Sequence, residues 1–208
     1  PEPLPCPAGT TKKVGVTMTS ASDCDDCLSG TFCPVASLAP TNCSAGTYND
    51  QARQAVCNKC SAGRFQDTEG ATACKACDSG SYCPPGAAAA LPCAGGSYSS
   101  ATSNSAASDC TPVDAGSFAP TGSAAQTACA KGTYTNASMA VKDSCAPCAG
   151  GTYQDVEGQT SCKPCEQGSY CPEGAAAALP CEGGRYSSAT DNDEPSDCTL
   201  VDPGSFAP

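Results

Sequence analysis

The chain has 208 residues, among them 20 Cys, 18 Pro and 21 Gly, with no His, no Trp and only 5% aromatic residues. So few large apolar side chains cannot bury enough surface to offset the entropy of ordering this much backbone, which excludes a conventional globular core and leaves the stabilising role to disulfides. A net charge of −11 disfavours nucleic acid and anionic membrane as partners, because both require basic patches.

From the N-terminus, the chain opens on Pro1 rather than Met, and a processed piece of something longer is expected. No apolar run is long enough to cross a membrane. Thiols of even number, spaced by turn residues, point to an oxidising compartment, so an extracellular or cell-surface location is expected. The first loop, "CPAGTT" at 6–11, is followed by loops that begin Cys-x-x-Gly-x-Tyr/Phe, as in "CSAGTY" at 43–48, "CSAGRF" at 60–65, "CAGGSY" at 93–98, "CAKGTY" at 129–134 and "CAGGTY" at 148–153. Every aromatic residue sits two places after a glycine, from Phe32 through Tyr48, Phe65, Tyr82, Tyr98, Phe118, Tyr134, Tyr153, Tyr170 and Tyr186 to Phe206. That arrangement predicts a glycine in a turn conformation closed to residues with a Cβ, and a ring folded back over a neighbouring disulfide. No ring is left over for a binding pocket.

A larger period contains the small one. The cysteines from Cys57 to Cys110 recur from Cys145 to Cys198 at an offset of 88 residues, and "LPCPAG" at 4–9 begins an earlier copy. The units are therefore 1–88, 89–176 and the start of a third at 177–208, arranged as a linear array in which each touches mainly its neighbours. Segments such as "GTYQD" and "GRYSS" predict strands of two or three residues in small hairpins. The "GAAAALP" stretch supports one helical turn at most. The expected fold is a set of small disulfide-rich repeats, elongated and mostly irregular, with short β-hairpins and no large hydrophobic core.

Two copies have lost a pair of cysteines together. Val113 and Ala119 stand where Cys77 and Cys83 would be, and Val201 and Ala207 repeat the substitution. A lone thiol in an oxidising compartment is a liability, so paired loss implies paired bonding of Cys77 with Cys83. An interleaved pattern, first to third and second to fourth, also closes every loop, but deleting a neighbouring pair would then strand two partners. Sequential pairing extends to Cys6 with Cys24, Cys27 with Cys33, Cys43 with Cys57, Cys60 with Cys74, Cys93 with Cys110, Cys129 with Cys145, Cys148 with Cys162, Cys165 with Cys171 and Cys181 with Cys198. The loss is expected to leave looser joints at 110–129 and 198–208, either hinges or contacts with a neighbouring chain; as contacts, Val113, Phe118 and Ala119 would offer a small apolar patch for packing.

The residues offer little chemistry. Without histidine there is no Ser/His/Asp or Cys/His nucleophile system, so no catalytic residue is assigned and an enzyme is not expected. The Cys-x-x-Cys pairs at 24/27, 57/60, 74/77, 145/148 and 162/165 alternate with wide loops and lie in no strand–helix pattern, which favours disulfides over zinc or a redox motif. The acidic cluster "DNDEPSD" at 191–197 lacks the alternating ligands and fixed glycine of a calcium loop and reads as a solvated face. No metal or other cofactor is assigned. Two N-glycosylation sequons are present, "NCS" at Asn42 and "NAS" at Asn136, the former weakened because it abuts a cysteine that must bond. The run "SSATSNSAAS" at 99–108 resembles an O-glycosylated stretch or a flexible polar loop.

The series "CxxCxxGxYCPxG…PCxxGxYSS" resembles the ephrin-receptor-like cysteine-rich repeats, related in style to tumour-necrosis-factor-receptor modules. Comparable arrays occur in protist and algal surface proteins and in flagellar hairs of the mastigoneme type. The resemblance implies a module type and no catalytic residues. Near-identity between units fits a structural component of an extracellular stalk or fibril, glycan-coated and self-associating or bound to other surface glycoproteins. The alternative is a ligand-binding or adhesion ectodomain of a cell-surface receptor, which calls for a non-repeating cluster of exposed aromatic or arginine residues.

Overall fold

The computed structural model describes residues 5–205. Phe206 and Ala207 fall outside them. The described residues form no α-helix; they form short antiparallel hairpins, such as Thr47–Tyr48 with Asn58–Lys59 and Arg64–Phe65 with Lys75–Ala76, each an independent two-stranded sheet. Three single 3₁₀ turns interrupt them, at Ala21–Asp23, Ala107–Asp109 and Pro195–Asp197. The "GAAAALP" stretches make no helical turn. Instead Ala87 and Ala175 form isolated parallel bridges to Phe65 and Tyr153.

By its contacts the chain divides into two units, one of Pro1–Cys93 with Ser99–Cys110, the other of Ala94–Tyr98 with Thr111–Pro208. Within each unit the hairpins are joined by one repeated pattern. In the first, the amides of Gly9, Gly30, Gly46, Gly63 and Gly80 donate to the carbonyls of Cys33, Asn49, Gln66, Cys83 and Ser99 in the following hairpin, at 2.7–2.8 Å. In the second, Gly96, Gly116, Gly132, Gly151 and Gly168 donate to Ala119, Thr135, Gln154, Cys171 and Ser187 over the same range. The carbonyl of each of these glycines also accepts from the residue that starts the next loop, as Gly46 O does from Cys60 N and Gly132 O from Cys148 N. A rung is therefore a hairpin whose glycine is bonded on both sides, and every one of these ten glycines has a positive φ, from +74° to +84°. A Cys-x-x-Gly loop has this shape because the left-handed backbone turns the amide toward the neighbour.

Ten disulfides close the rungs, each between sequence neighbours, with Cα–Cα separations of 5.7–6.3 Å. They supply most of the interior: the described buried apolar residues are cysteines together with Ala87, Val113, Ala119, Tyr153 and Ala175. The rings take up the surface just outside, Tyr153 against Cys165 and Cys171, and Phe65 against Cys77 and Cys83.

The rung that lacks a staple corrects one expectation. Val113 is 3% exposed and Ala119 is fully buried, so neither belongs to a surface patch. The backbone there is bonded as in the other rungs: Val113 N donates to Gly96 O, and Ala119 N to Lys142 O at 2.9 Å. Lys142 Nζ donates in addition to Val113 O at 3.1 Å. The joint is a rung whose sulfurs have been exchanged for aliphatic carbon of similar bulk. Cys77→Val with Cys83→Ala should accordingly preserve the fold and lower stability by about 2 kcal/mol, the chain-entropy value for so short a loop. Urea unfolding of the two oxidised proteins measures the difference, and loss of the folded state would show that the aliphatic pair is not a substitute.

Candidate functional site

The residue after each ring points inward, and its chemistry varies from rung to rung. At this position stand Cys33, Asn49, Gln66, Cys83 and Ser99 in the first unit, and Ala119, Thr135, Gln154, Cys171 and Ser187 in the second. Where it is not a half-cystine it is generally a buried polar group with partners. Asn49 Nδ2 donates to Thr31 O at 3.0 Å and Val56 O at 3.1 Å. Gln66 Nε2 donates to Ala73 O at 2.6 Å, Gln154 Nε2 to Ser161 O at 2.7 Å, and Thr135 Oγ1 to Ser117 O at 2.8 Å. Among the described residues no buried side-chain nitrogen or oxygen lacks a partner. Disulfides and satisfied amides thus share the work of an apolar core. Composition hides these amides because Asn and Gln read as turn and surface residues; the signal that finds them is alignment of the rungs on the glycine, which puts Asn49 and Gln66 in the place of Cys83.

The outward face of two rungs carries a repeated trio. Strand register sets Lys75 opposite Phe65 and Lys163 opposite Tyr153. Lys75 Nζ lies 2.5 Å from Asp67 Oδ1 and 5.8 Å from the centre of the Phe65 ring, and Lys163 Nζ lies 2.5 Å from Asp155 Oδ1 and 5.7 Å from that of Tyr153. The hydrogen bond from lysine holds the carboxyls of Asp67 and Asp155 below the ordinary range, and the same bond raises the Lys163 ammonium. Burial pushes the Tyr153 hydroxyl up, aided by Glu166, whose Oε1 accepts its hydrogen bond at 3.3 Å. Exposed pairs of this kind add little stability. Their consequence is a surface of fixed shape and charge.

The acidic clusters are engaged in turns. Asp109 Oδ2 accepts from Ser105 N at 2.7 Å and Ala106 N at 3.1 Å, and Asp197 Oδ2 accepts from Asp193 N and Glu194 N at 3.0 and 3.1 Å. Asp23 does the same with Thr19 and Ser20. Backbone donation lowers all three pKa values, foremost from Thr19, Ser105 and Glu194 respectively. A folded-state pKa below the unfolded one gives stability that is present above the ordinary aspartate value of 3.8 and is lost as pH falls through the folded value. Thermal stability should therefore fall on acidification below that value, and Asp109→Asn should flatten the profile; a variant with the wild-type pH profile would remove Asp109 from this account.

The two sequons lie in different settings. Asn42 is exposed in the strand Thr41–Asn42, paired with Thr31, and is followed by the fully buried Cys43. Asn136 follows the buried Thr135 in a turn, where its Oδ1 accepts from Ser138 Oγ at 2.6 Å and Ser138 N at 3.1 Å. Among the described residues no three His, Cys, Asp or Glu side chains are grouped to hold a metal ion.

Residues 132–178 match the family model described as "Tyrosine-protein kinase ephrin type A/B receptor-like". The matched segment spans the rungs of Gly132, Gly151 and Gly168, and its cysteines Cys145 to Cys171 recur at Cys57 to Cys83. The chain thus carries ephrin-receptor-like, disulfide-rich tandem repeats, a module of the extracellular type. No curated protein matches the chain.

Proposed function

We propose that this array of ephrin-receptor-like repeats is a structural segment of an extracellular stalk or fibril, glycosylated and built to present the same surface at regular intervals. The observation that carries this reading is the recurrence of the outward trio: Phe65, Asp67 and Lys75 are restated 88 residues later by Tyr153, Asp155 and Lys163 with the same 2.5 Å contact. A surface that packs on copies of itself must repeat, whereas a surface that grips one ligand has reason to diverge. Self-association through such faces, or with other surface glycoproteins, follows.

A specific feature favours a second reading, a receptor or adhesion ectodomain. Leu28, Val35 and Leu38 are 71%, 63% and 79% exposed. The corresponding residues of the later copies are Asp78 and Glu166, Pro85 and Glu173, and Ala88 and Ala176. At these three positions the exposed residues do not repeat, and they are apolar. Electron microscopy of the protein purified from its native source without reductant separates the two readings. Filaments with a regular axial spacing support the structural role; isolated molecules that do not associate would overturn it in favour of a ligand-binding ectodomain.

A further inference from the structure

The rung of Tyr134 lacks the aspartate and lysine that cover two other rings of the chain and carries a sequon beside its ring. In the rungs of Phe65 and Tyr153 the residue two places after the ring is Asp67 or Asp155, and the residue opposite the ring is Lys75 or Lys163. At Tyr134 these become Asn136 and Ala146. The ion pair that covers Phe65 and Tyr153 is absent here, as it is at Phe118, where Pro120 and Thr127 hold these positions, and Asn136 begins the sequon Asn136–Ala137–Ser138. The trios at Phe65 and Tyr153 show that ring and second residue share one face, because a single lysine ammonium reaches both. Thr135 between them is fully buried and turned the other way. The Ser138 hydroxyl and amide donate to Asn136 Oδ1, so the turn's own hydrogen bonds engage the oxygen of that amide.

We infer that Asn136 carries an N-linked glycan whose first sugar packs its C–H face on the Tyr134 ring, taking the place of the Lys–Asp cover found over Phe65 and Tyr153, and that Asn42 stays bare. A pyranose presents a C–H face to a ring for the same reason a cation does, since the electron-rich face attracts positive C–H edges while apolar surface is removed from water. In the transfer step Nδ2 of Asn136 bonds to C1 of the reducing-end sugar of a lipid-linked pyrophosphate donor. The C1–O bond to the pyrophosphate breaks, the amide loses one proton, and the lipid pyrophosphate departs. At Asn42 the residue two places before is Pro40 rather than an aromatic, and the flanking Cys43 is committed to Cys57.

The inference rests on the extracellular reading, and the test keeps the two apart. Protein secreted from a eukaryotic host is mapped by mass spectrometry, without reduction, before and after treatment with peptide-N-glycosidase. The expected result is a sugar mass on the Asn136 peptide that the enzyme removes with conversion to Asp, and an unmodified Asn42 peptide. A bare Asn136 in a chain with closed disulfides overturns the glycan assignment alone; a bare Asn136 with free thiols overturns the extracellular reading as well. The packing is tested by melting the glycosylated and deglycosylated forms of the wild type and of Tyr134→Ala. The wild type should lose melting temperature on deglycosylation and Tyr134→Ala should lose much less, whereas equal losses would show that the sugar does not use the ring.

Discussion

Replacing Gly151 with alanine is expected to lower the stability of the oxidised protein by about 3 kcal/mol, and replacing Gly168 by only about 1 kcal/mol. Both glycines are left-handed, with φ of +78° and +74°, and both donate a 2.8 Å hydrogen bond to the next rung. They differ in what lies above them. A Cβ on Gly151 would fall 2.7 Å from the carbonyl oxygen of Asp191, whereas one on Gly168 meets nothing within 4 Å among the described residues. The backbone strain is common to both, so the difference isolates the close approach of a loop two rungs further along the chain. Urea midpoints with the disulfides intact measure it. Equal losses would mean that rungs touch only their immediate neighbours.

Asn49→Leu should cost a similar amount, about 3 kcal/mol, since it removes the buried partner of two carbonyls and offers them only methyl groups. Asn49→Gln is expected to keep most of the stability, because Gln66 and Gln154 fill the same place in their own rungs. Asn49 reaches Val56 O, seven residues on, and those glutamines reach Ala73 O and Ser161 O at the same separation. Circular dichroism melts of the three proteins decide the matter. A leucine variant as stable as the wild type would show that the amide fills space and nothing more.

These two residues also mark how far the sequence can be read. The fold class and the turn glycines are legible because Cys spacing and Gly-x-aromatic patterns impose geometry directly: Gly46 or Gly132 tolerates a backbone that other residues resist. The interior at Asn49, Gln66 and Thr135 is not legible from composition, because polarity alone assigns such residues to the surface. At Asn49 and Thr135 burial depends on a carbonyl from a different hairpin, Thr31 O and Ser117 O, each 18 residues away in the chain, and at Gln66 on Ala73 O seven residues on. The joint at Val113 and Ala119 is misjudged for a related reason. A missing disulfide reads as missing constraint, but the ladder of backbone hydrogen bonds through Gly96 and Lys142 holds that rung and needs only apolar volume from the two side chains.

Within each unit the rungs are closed by sequence-neighbour disulfides. Peptide mapping of the unreduced native protein tests it most directly. The account predicts ten linked pairs, among them Cys77 with Cys83, Cys165 with Cys171, and Cys93 with Cys110 across the 3₁₀ turn at Ala107–Asp109. A map in which Cys77 is joined to any cysteine other than Cys83 would contradict it.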